Sequence, residues 1–395
     1  MSMSSPDVVI VGAGVIGNSI AYHLARMGQR VLVIERGDIA TAPVASWASA
    51  GGVRRQGRHP AEALLASEAI ARWPALSEEL EADLHYRQGG NLLLAENDEE
   101  AAQLVDFVRE QHTLGFHDVR LLDHKATHEI ASALNAHISA SSYSPADGQA
   151  DPPLTTRAFA AAAQRHGATY WQHTGVQHLR VTRQRVTGVE TDRGPVEAAQ
   201  IVLAAGVWSD ELAAAAGLFL PIKTLALQML LSTPAPTHLL DPVLGTVGRA
   251  LSLKQLPNGA FFLGGGWPGD PAPDRLACTT RATSIEGNWQ TACAIVPAVA
   301  QQKIAQAWCG LEAGSIDGIP FIGPAPEQFA NLTLALAFCG HGFAIAPAVG
   351  RAVADQLTGH AVPELDGLSP ARIAGFSQEQ IKAFQSSIAS DPLAG

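Results

Sequence analysis

The sequence predicts an α/β protein: a Rossmann-like nucleotide-binding domain in discontinuous pieces, with a second, mostly antiparallel domain set into it. Three observations carry this. "DVVIVGAGVIGNSIAYHLARMGQRVLVIERG" opens the chain with strand, glycine turn, helix and strand in succession. Mixed strand and helix patterns return near the middle and the end, in "QIVLAAGVWSDEL" and "LTLALAFCGHGFAIAPAVGRAVADQLTG". Residues 220–304 instead alternate apolar and polar side chains between Pro and Gly, as antiparallel strands do. The expected division is 1–85, 145–215 and 305–395 for the nucleotide domain, and 86–144 and 216–304 for the other.

The elements justify this in order. Val8 to Val11 is a continuous apolar run, suited to a strand covered on both faces. Ile16, Ile20 and Leu24 then share one helical face, Gly28 ends the helix, and Val31 to Ile34 is a second buried strand. Ala61 to Asp83 reads as a helix rich in Ala, Leu and Glu. "YRQGGNLLLAEN" reads as a strand pair before a helix over Asp98 to Leu114. A Pro/Gly/Asp loop, with Asp147 and Asp151 as turn residues, leads into another helix. Alternating strands end in the apolar run Ile201 to Ala205. The tail after Pro363 is polar and expected on the surface.

With 395 residues the chain is long enough for two domains, and 47% hydrophobic with 16% charged residues is an ordinary globular balance. A net charge of −11 argues against a nucleic-acid or anionic-membrane surface. Cys278, Cys293, Cys309 and Cys339 show no C-x-x-C spacing, which argues against a zinc ribbon, an iron–sulfur cluster or a disulfide framework. No histidine has metal-ligand spacing, so no metal is expected. The start of the chain has no basic n-region, and its apolar run is too short for a membrane span; a cytoplasmic location is expected.

The chemistry begins at Gly12-x-Gly14-x-x-Gly17, between a strand and a helix. Gly12 permits the tight turn, Gly14 lets a pyrophosphate reach the backbone, and Gly17 lets helix and strand pack closely. The helix N-terminus favours the phosphate charge. Glu35 ends the second strand, where its carboxylate can accept from ribose hydroxyls and would repel a 2′-phosphate. The alternative is a glycine-rich turn that binds nothing. Further on, "WASAGGVRRQGRHP" places small residues before two adjacent arginines, so that something large can approach the backbone beside an anion site.

These motifs, with "GGNLLLAE", "DGQADP", "VLAAGVWSDEL", "DGIPFIGP" and "CGHGFAIAPAVGRAVADQL", resemble the FAD-dependent amino-acid and amine oxidoreductases of the D-amino-acid oxidase superfamily. That group includes glycine oxidase, the sarcosine oxidases, and flavin subunits of proline, hydroxyproline and opine dehydrogenases. The resemblance covers Asp7 to about Gly359. It implies a fold of the D-amino-acid oxidase/glutathione-reductase type and FAD as cofactor. Glu35 and Arg36 would hold its adenosine half, and Val176 would present its backbone to the adenine. Ala205 and Gly206 would pass close to the cofactor. Ser49, Ala50, Gly51, Gly52 and Val53 would line the flavin. Gly340, His341, Gly342 and Phe343 would lie at its polar edge. Covalent attachment in some relatives uses a His or Cys near the flavin-lining loop; Trp47, Ser49, Gly51 and Gly52 stand here, so non-covalent FAD is expected.

Arg54 and Arg55 have three readings: a bidentate clamp on a substrate carboxylate, neutralisation of FAD phosphates, or solvated surface charge. Adjacent residues of an extended loop point in opposite directions, so one of the two is expected to face the site. Lys223, Arg249 and His341 are the next places to look for a carboxylate anchor. Two departures from the resemblance matter. Glycine oxidase and its close relatives carry Arg-Pro where this chain has Glu312-Ala313; Glu312 would attract an amine or cationic side chain, or face solvent. Sarcosine oxidase and its relatives activate O2 with a lysine on a strand near the flavin, and Phe262 in "GAFFLGGG" falls near that position. This favours a dehydrogenase over an oxidase. His341 would orient substrate or tune the flavin, or only be held by backbone hydrogen bonds.

The expected function is flavin-dependent oxidation of the C–N bond of an amino acid or secondary amine of proline, sarcosine or opine type, with catalytic candidates His341, Arg54 and Arg55. The imine product would hydrolyse. The expected partners are the small-molecule amine substrate and an electron acceptor, either O2, a carrier or a partner subunit. The alternatives are a 2-hydroxy-acid or polyol dehydrogenase, for which His341 is the available base, and a flavin subunit active only in a hetero-oligomer.

Overall fold

The structure is a computed structural model that describes residues 5–387. Strands Val8–Val11 and Val31–Ile34 are buried at every position and lie side by side within a six-stranded sheet. Its order is Phe321–Pro324, Leu332–Leu336, Gln200–Leu203, Val8–Val11, Val31–Ile34, Thr169–Trp171. All neighbours run parallel except the outermost pair, Phe321–Pro324 with Leu332–Leu336. The chain leaves Val8–Val11 to one side for Val31–Ile34 and reaches Gln200–Leu203 on the other. A crevice at the carboxyl ends of the strands follows from that reversal.

Helices Val15–Arg26, Ala63–Glu79, Pro152–Arg165 and Gly342–Leu357 share the core on one face of this sheet. On the other face lies a three-stranded antiparallel sheet, Val176–Thr182, Arg185–Thr191 and Gly194–Glu197. Helices Val15–Arg26 and Gly342–Leu357 touch at backbone distance. A Cβ on Gly350 would lie 2.0 Å from Ser19 Oγ, and that hydroxyl donates to the Ala346 carbonyl at 2.8 Å. Trp73 Nε1 donates to the Ala344 carbonyl at 2.8 Å and ties the Ala63–Glu79 helix to the same element.

The second sheet has eight strands, ordered Ile304–Ser315, Ile222–Pro234, Ala260–Gly264, Ser252–Gln255, Val243–Thr246, Asn91–Ala95, Ala140–Ser144, Arg120–Asp123. It is antiparallel apart from Val243–Thr246 beside Asn91–Ala95. Strand Ile304–Ser315 lies beyond the sequence-based boundary at 305, yet it pairs along its length with Ile222–Pro234.

Two other expectations are corrected. The block 220–304 is not all strand, because Ala282–Ile295 is a helix. Its buried face includes Ser284, Asn288, Thr291 and Ala292, so small and polar residues break the apolar period that announces a helix. The segment after Pro363 is not simply a surface tail. Leu365, Leu368, Ile373 and Ile381 are buried, spaced through two 3₁₀ segments and the helix Gln378–Ser386 too sparsely to form a pattern. Residues 388–395 lie outside the described residues.

The helix contact yields a test. Gly350→Ala should lower stability by about 1–3 kcal/mol in denaturant unfolding, because the new methyl overlaps Ser19 in a packed interface. Unchanged stability would mean that the two helices separate freely.

Candidate active site

A cavity of about 660 Å3 opens where the two sheets meet. One wall is the crevice of the six-stranded sheet, from Val11 and Gly12 across to Ala204 and Ala205. The opposite wall comes from the eight-stranded sheet, with apolar Leu227, Met229, Leu244 and Leu311 and polar Asn91, Thr246 and Glu312.

The glycine turn has the shape of a phosphate cradle. Gly12 has φ +105°, and a Cβ there would lie 2.5 Å from the Ala204 carbonyl oxygen. A Cβ on Gly17 would lie 2.0 Å from the Gly12 carbonyl oxygen, so Gly17 lies in the helix–strand contact rather than on the cavity wall. Gly14 differs: a Cβ there would meet only Ser46 Oγ at 3.4 Å, and Gly14 lines the cavity. Gly14 is also the N-cap of helix Val15–Arg26 and has no side chain to cap it; Ser46 Oγ accepts the Val15 N–H at 2.9 Å, and the other N–H groups of the first turn stay free of side-chain caps. The helix N-terminus therefore offers its positive end to the cavity.

Glu35 and Arg36 line the cavity at the end of the second strand. The Glu35 carboxylate accepts from the Ala13 N–H at 2.8 Å and the Gly37 N–H at 3.0 Å. The Arg36 guanidinium lies 4.3 Å from the Trp208 ring centroid. Val176, Ala205 and Gly206 line the same region.

Ser49, Ala50, Gly51 and Gly52 also line the cavity, whereas Val53 is buried behind them, paired with Gly148. Gly340, Gly342 and Phe343 line it from the N-terminus of helix Gly342–Leu357. His341, between them, does not line it. Its Nδ1 lies 3.1 Å from Oε2 of the buried Glu62. Burial and the nearby Arg58 charge hold the His341 imidazole below its ordinary pKa, against the pull of Glu62. Burial pushes the Glu62 carboxyl up, but the His341 hydrogen bond with the His341 and Arg58 charges outweighs it and leaves Glu62 below the ordinary range.

The two adjacent arginines part. Arg54 lines the cavity; burial lowers its pKa, opposed by Asp147 and Glu62. Arg55 turns away, pairing with Asp118 and lying 5.1 Å from the Phe116 ring centroid. Arg58, which the sequence did not single out, reaches the cavity beside Arg54. It is 6% exposed, its Nε donates to the Arg54 carbonyl at 3.1 Å, and its Nη1 is buried without a partner. Burial and the Arg54 charge lower it to about 10, so it stays cationic at neutral pH. Asp147 is no simple turn residue. It is fully buried, accepts the Arg55 N–H at 3.0 Å, and is raised to about 6 by burial. Asp151 caps helix Pro152–Arg165 by accepting the Leu154 N–H at 2.9 Å. Of the reserve anchors, Lys223 donates to Ser387 Oγ at 3.0 Å, outside the cavity wall. Arg249 lines the cavity but pairs with Glu96 at 2.7 Å.

Two further groups complete the site. Glu312 lines the cavity and does not simply face solvent; it accepts the Gly340 N–H, and burial raises it to about 7. Lys254 stands directly across from Phe262 in the sheet, with Nζ 5.0 Å from its ring centroid. The same Nζ would lie 3.0 Å from a Cβ on Gly51. Burial lowers it to about 8. Phe262 thus has a lysine beside it after all, supplied by the neighbouring strand, which lies outside the quoted motif. Among the described residues no group of three or more His, Cys, Asp or Glu is placed to hold a metal, and no helix is long and apolar enough to cross a membrane.

Gly14 gives the sharpest test of the cradle. Gly14→Val should fold with stability close to wild type, since its Cβ meets no backbone, yet purify without flavin colour because the side chain takes the space of the pyrophosphate. Full flavin absorbance in that variant would make the glycine turn purely structural.

Comparison with known proteins adds the following. Residues 7–356 match the family described as FAD dependent oxidoreductase (DAO). Glycine oxidase of Pseudomonas putida is 30% identical over 92% of this chain and 97% of that protein. Mitochondrial dimethylglycine dehydrogenase of Mus musculus is 27% identical over 95% of this chain but 45% of its own length. L-proline dehydrogenase from P. horikoshii superposes with a TM-score of 0.86 at 28% identity, covering 94% of this chain and 98% of that one. Glycine oxidase from Geobacillus kaustophilus superposes with a TM-score of 0.83 at 26% identity, covering 94% and 99%.

Proposed function

The chain belongs to the FAD dependent oxidoreductase family and uses FAD; from that premise we propose that it oxidises the C–N bond of an amino acid or N-substituted amino acid. The observation that carries the proposal is the pair Arg54 and Arg58. Two cations, Arg58 buried and Arg54 half-buried, face one cavity beside the small-residue loop, and Arg58 Nη1 has no partner. A carboxylate fits two guanidiniums in fork geometry, whereas a plain amine or polyol gives them nothing to hold.

FAD bound in the cavity supplies the hydride acceptor for the carbon next to nitrogen. The protein's own residues do the rest. The Gly12–Gly14 turn and the helix behind it would hold the pyrophosphate, and Glu35 a ribose. Ser49 to Gly52, with Gly340, Gly342 and Phe343, would flank the flavin, with a helix N-terminus favouring negative charge there. Attachment would be non-covalent. Cys339, the cysteine next to that turn, is buried and engaged with Ser315 and the Ala337 carbonyl. His341 would position Glu62 instead of abstracting a proton, which leaves the hydroxy-acid alternative without its expected base.

Anaerobic mixing with amino acids and, separately, 2-hydroxy acids tests the reading: amino acids should bleach the flavin. Arg54→Ala and Arg58→Ala should each lower kcat/KM by about thirtyfold or more while keeping FAD, because truncating a buried charge contact costs about 2–5 kcal/mol. Arg55→Ala should change kcat/KM little. Bleaching by hydroxy acids alone would overturn the proposal.

A second observation bears on the electron acceptor. Phe262 favours a dehydrogenase, but Lys254 sets a cation against Gly51, where it would stabilise charge developing on O2. We therefore extend the proposal to an enzyme that O2 can reoxidise. Lys254→Met should slow reoxidation by about 100-fold. Wild-type reoxidation should also fall as pH rises through about 8, where Lys254 loses its proton. Slow wild-type reoxidation, insensitive to Lys254→Met, would restore the dehydrogenase reading.

A further inference from the structure

We infer that Glu312 receives the ammonium group of the substrate and takes its surplus proton, so that the free amine forms inside the cavity. The inference deepens the amine-oxidation reading and rests on it.

Position is the first argument. Glu312 sits on strand Ile304–Ser315 opposite Leu225, and it lines the cavity together with Arg54 and Arg58. Glu312 and the arginines flank one turn: Glu312 lies beside Gly340, and the next residue, His341, meets Glu62, whose charge acts on Arg54 and Arg58. An amino acid whose carboxylate rests on the arginines and whose nitrogen points along this turn meets Glu312, whereas the other acids of the lining are taken, Glu35 by the Ala13 and Gly37 N–H groups and Glu211 by Arg275.

Charge is the second argument. The other acids near the arginines do not line the cavity: Glu62 holds His341 at 3.1 Å, and Asp147 accepts the Arg55 N–H through Oδ1 at 3.0 Å, its Oδ2 buried without a partner. Glu312 has the Gly340 N–H, and among the described residues no cationic side chain contributes to its ionisation. Its paired strand presents Leu225 and Leu227, and the segment Ala45–Ala48 on its other side is uncharged. Beyond Gly340 the neighbouring titratable groups are Cys339, raised to about 11 by burial, and the Glu62–His341 pair. A desolvated carboxylate with one N–H donor lacks a counter-charge, and an ammonium supplies one.

Chemistry is the third argument. Loss of hydride from carbon requires the nitrogen lone pair, yet an alkylammonium, like lysine, keeps its proton to about pH 10. One N–H bond must break before C–N oxidation begins. The proton passes to a Glu312 oxygen, the N–H electron pair stays on nitrogen, and two opposite charges become two neutral groups. No oxidant takes part in this step. Burial raises Glu312 to about 7, which suits an acceptor working near neutral pH.

The test compares the FAD-loaded wild type with Glu312→Gln. In the wild type kcat/KM should fall below about pH 7, where Glu312 is protonated before substrate arrives. In Glu312→Gln that limb should vanish: kcat/KM should drop at least about tenfold at pH 7.5 and climb toward the amine's own pKa, narrowing the gap above about pH 9. Methoxyacetate, which keeps the carboxylate and replaces the nitrogen by an ether oxygen, gives a reading without turnover. Its Kd, followed by flavin absorbance, should tighten in the wild type as pH falls through about 7 and stay flat in the variant. A variant that keeps the wild-type acid limb, or loses the same factor at every pH, overturns the inference. If no amine reduces the wild type, the amine reading itself falls, and the inference with it.

Discussion

The seat of Gly350 on Ser19 fixes two helices side by side, and the arrangement of the site follows from it. Helix Val15–Arg26 begins at the glycine turn, and helix Gly342–Leu357 begins at Gly342 and Phe343. Both therefore open their positive ends on one cavity. A side chain at 350 would force them apart, since even a Cβ would lie 2.0 Å from Ser19 Oγ. In the proposed reading one end serves phosphates and the other the ring system of the same cofactor, and the Gly350–Ser19 contact helps set the distance between these two anion-favouring ends.

The substrate side follows a different logic. Its charges are buried and mostly answered. Arg54 and Arg58 lie near Glu62 and Asp147, and His341 completes the set by holding Glu62. These acids act on the arginines through charge, while Arg58 Nη1 stays without a hydrogen-bond partner, so a ligand anion would still find a donor there. The loop that carries them has no regular structure beyond the short strand Gly52–Val53, so this network and the pairing of Val53 with Gly148 give it shape.

Legibility in the sequence divided along the same line. The βαβ opening, the glycine turn and Glu35 are encoded within thirty-odd consecutive residues, and the structure places them as that local pattern requires. Arg54 and Arg55 stood out because they are adjacent, but adjacency also sent them to opposite sides. Arg58 lay four residues further in the same loop, and only its burial distinguishes it. Lys254 was missed because register, not spacing, sets it across from Phe262. Glu62 looks like any acid at the start of a helix until His341, 279 residues later, is brought against it. Helix Ala282–Ile295 and the packed segment after Pro363 escaped because small polar residues and isolated apolar ones leave no period to read.

The edge strand Ile304–Ser315 meets the loop of the nucleotide side at Gly310, where a Cβ would lie 2.1 Å from Ala48 Cβ. The Leu311 N–H also donates to the Pro43 carbonyl at 2.7 Å. The strand that carries Glu312 is thus pressed, without an intervening side chain, on the segment that leads into Ser49 and Ala50. Movement of that strand would carry into the wall at Ser49 and Ala50. With the flavin against that wall, as proposed, the protein would have in effect an internal optical gauge, its visible spectrum registering the state of the strand that carries Glu312.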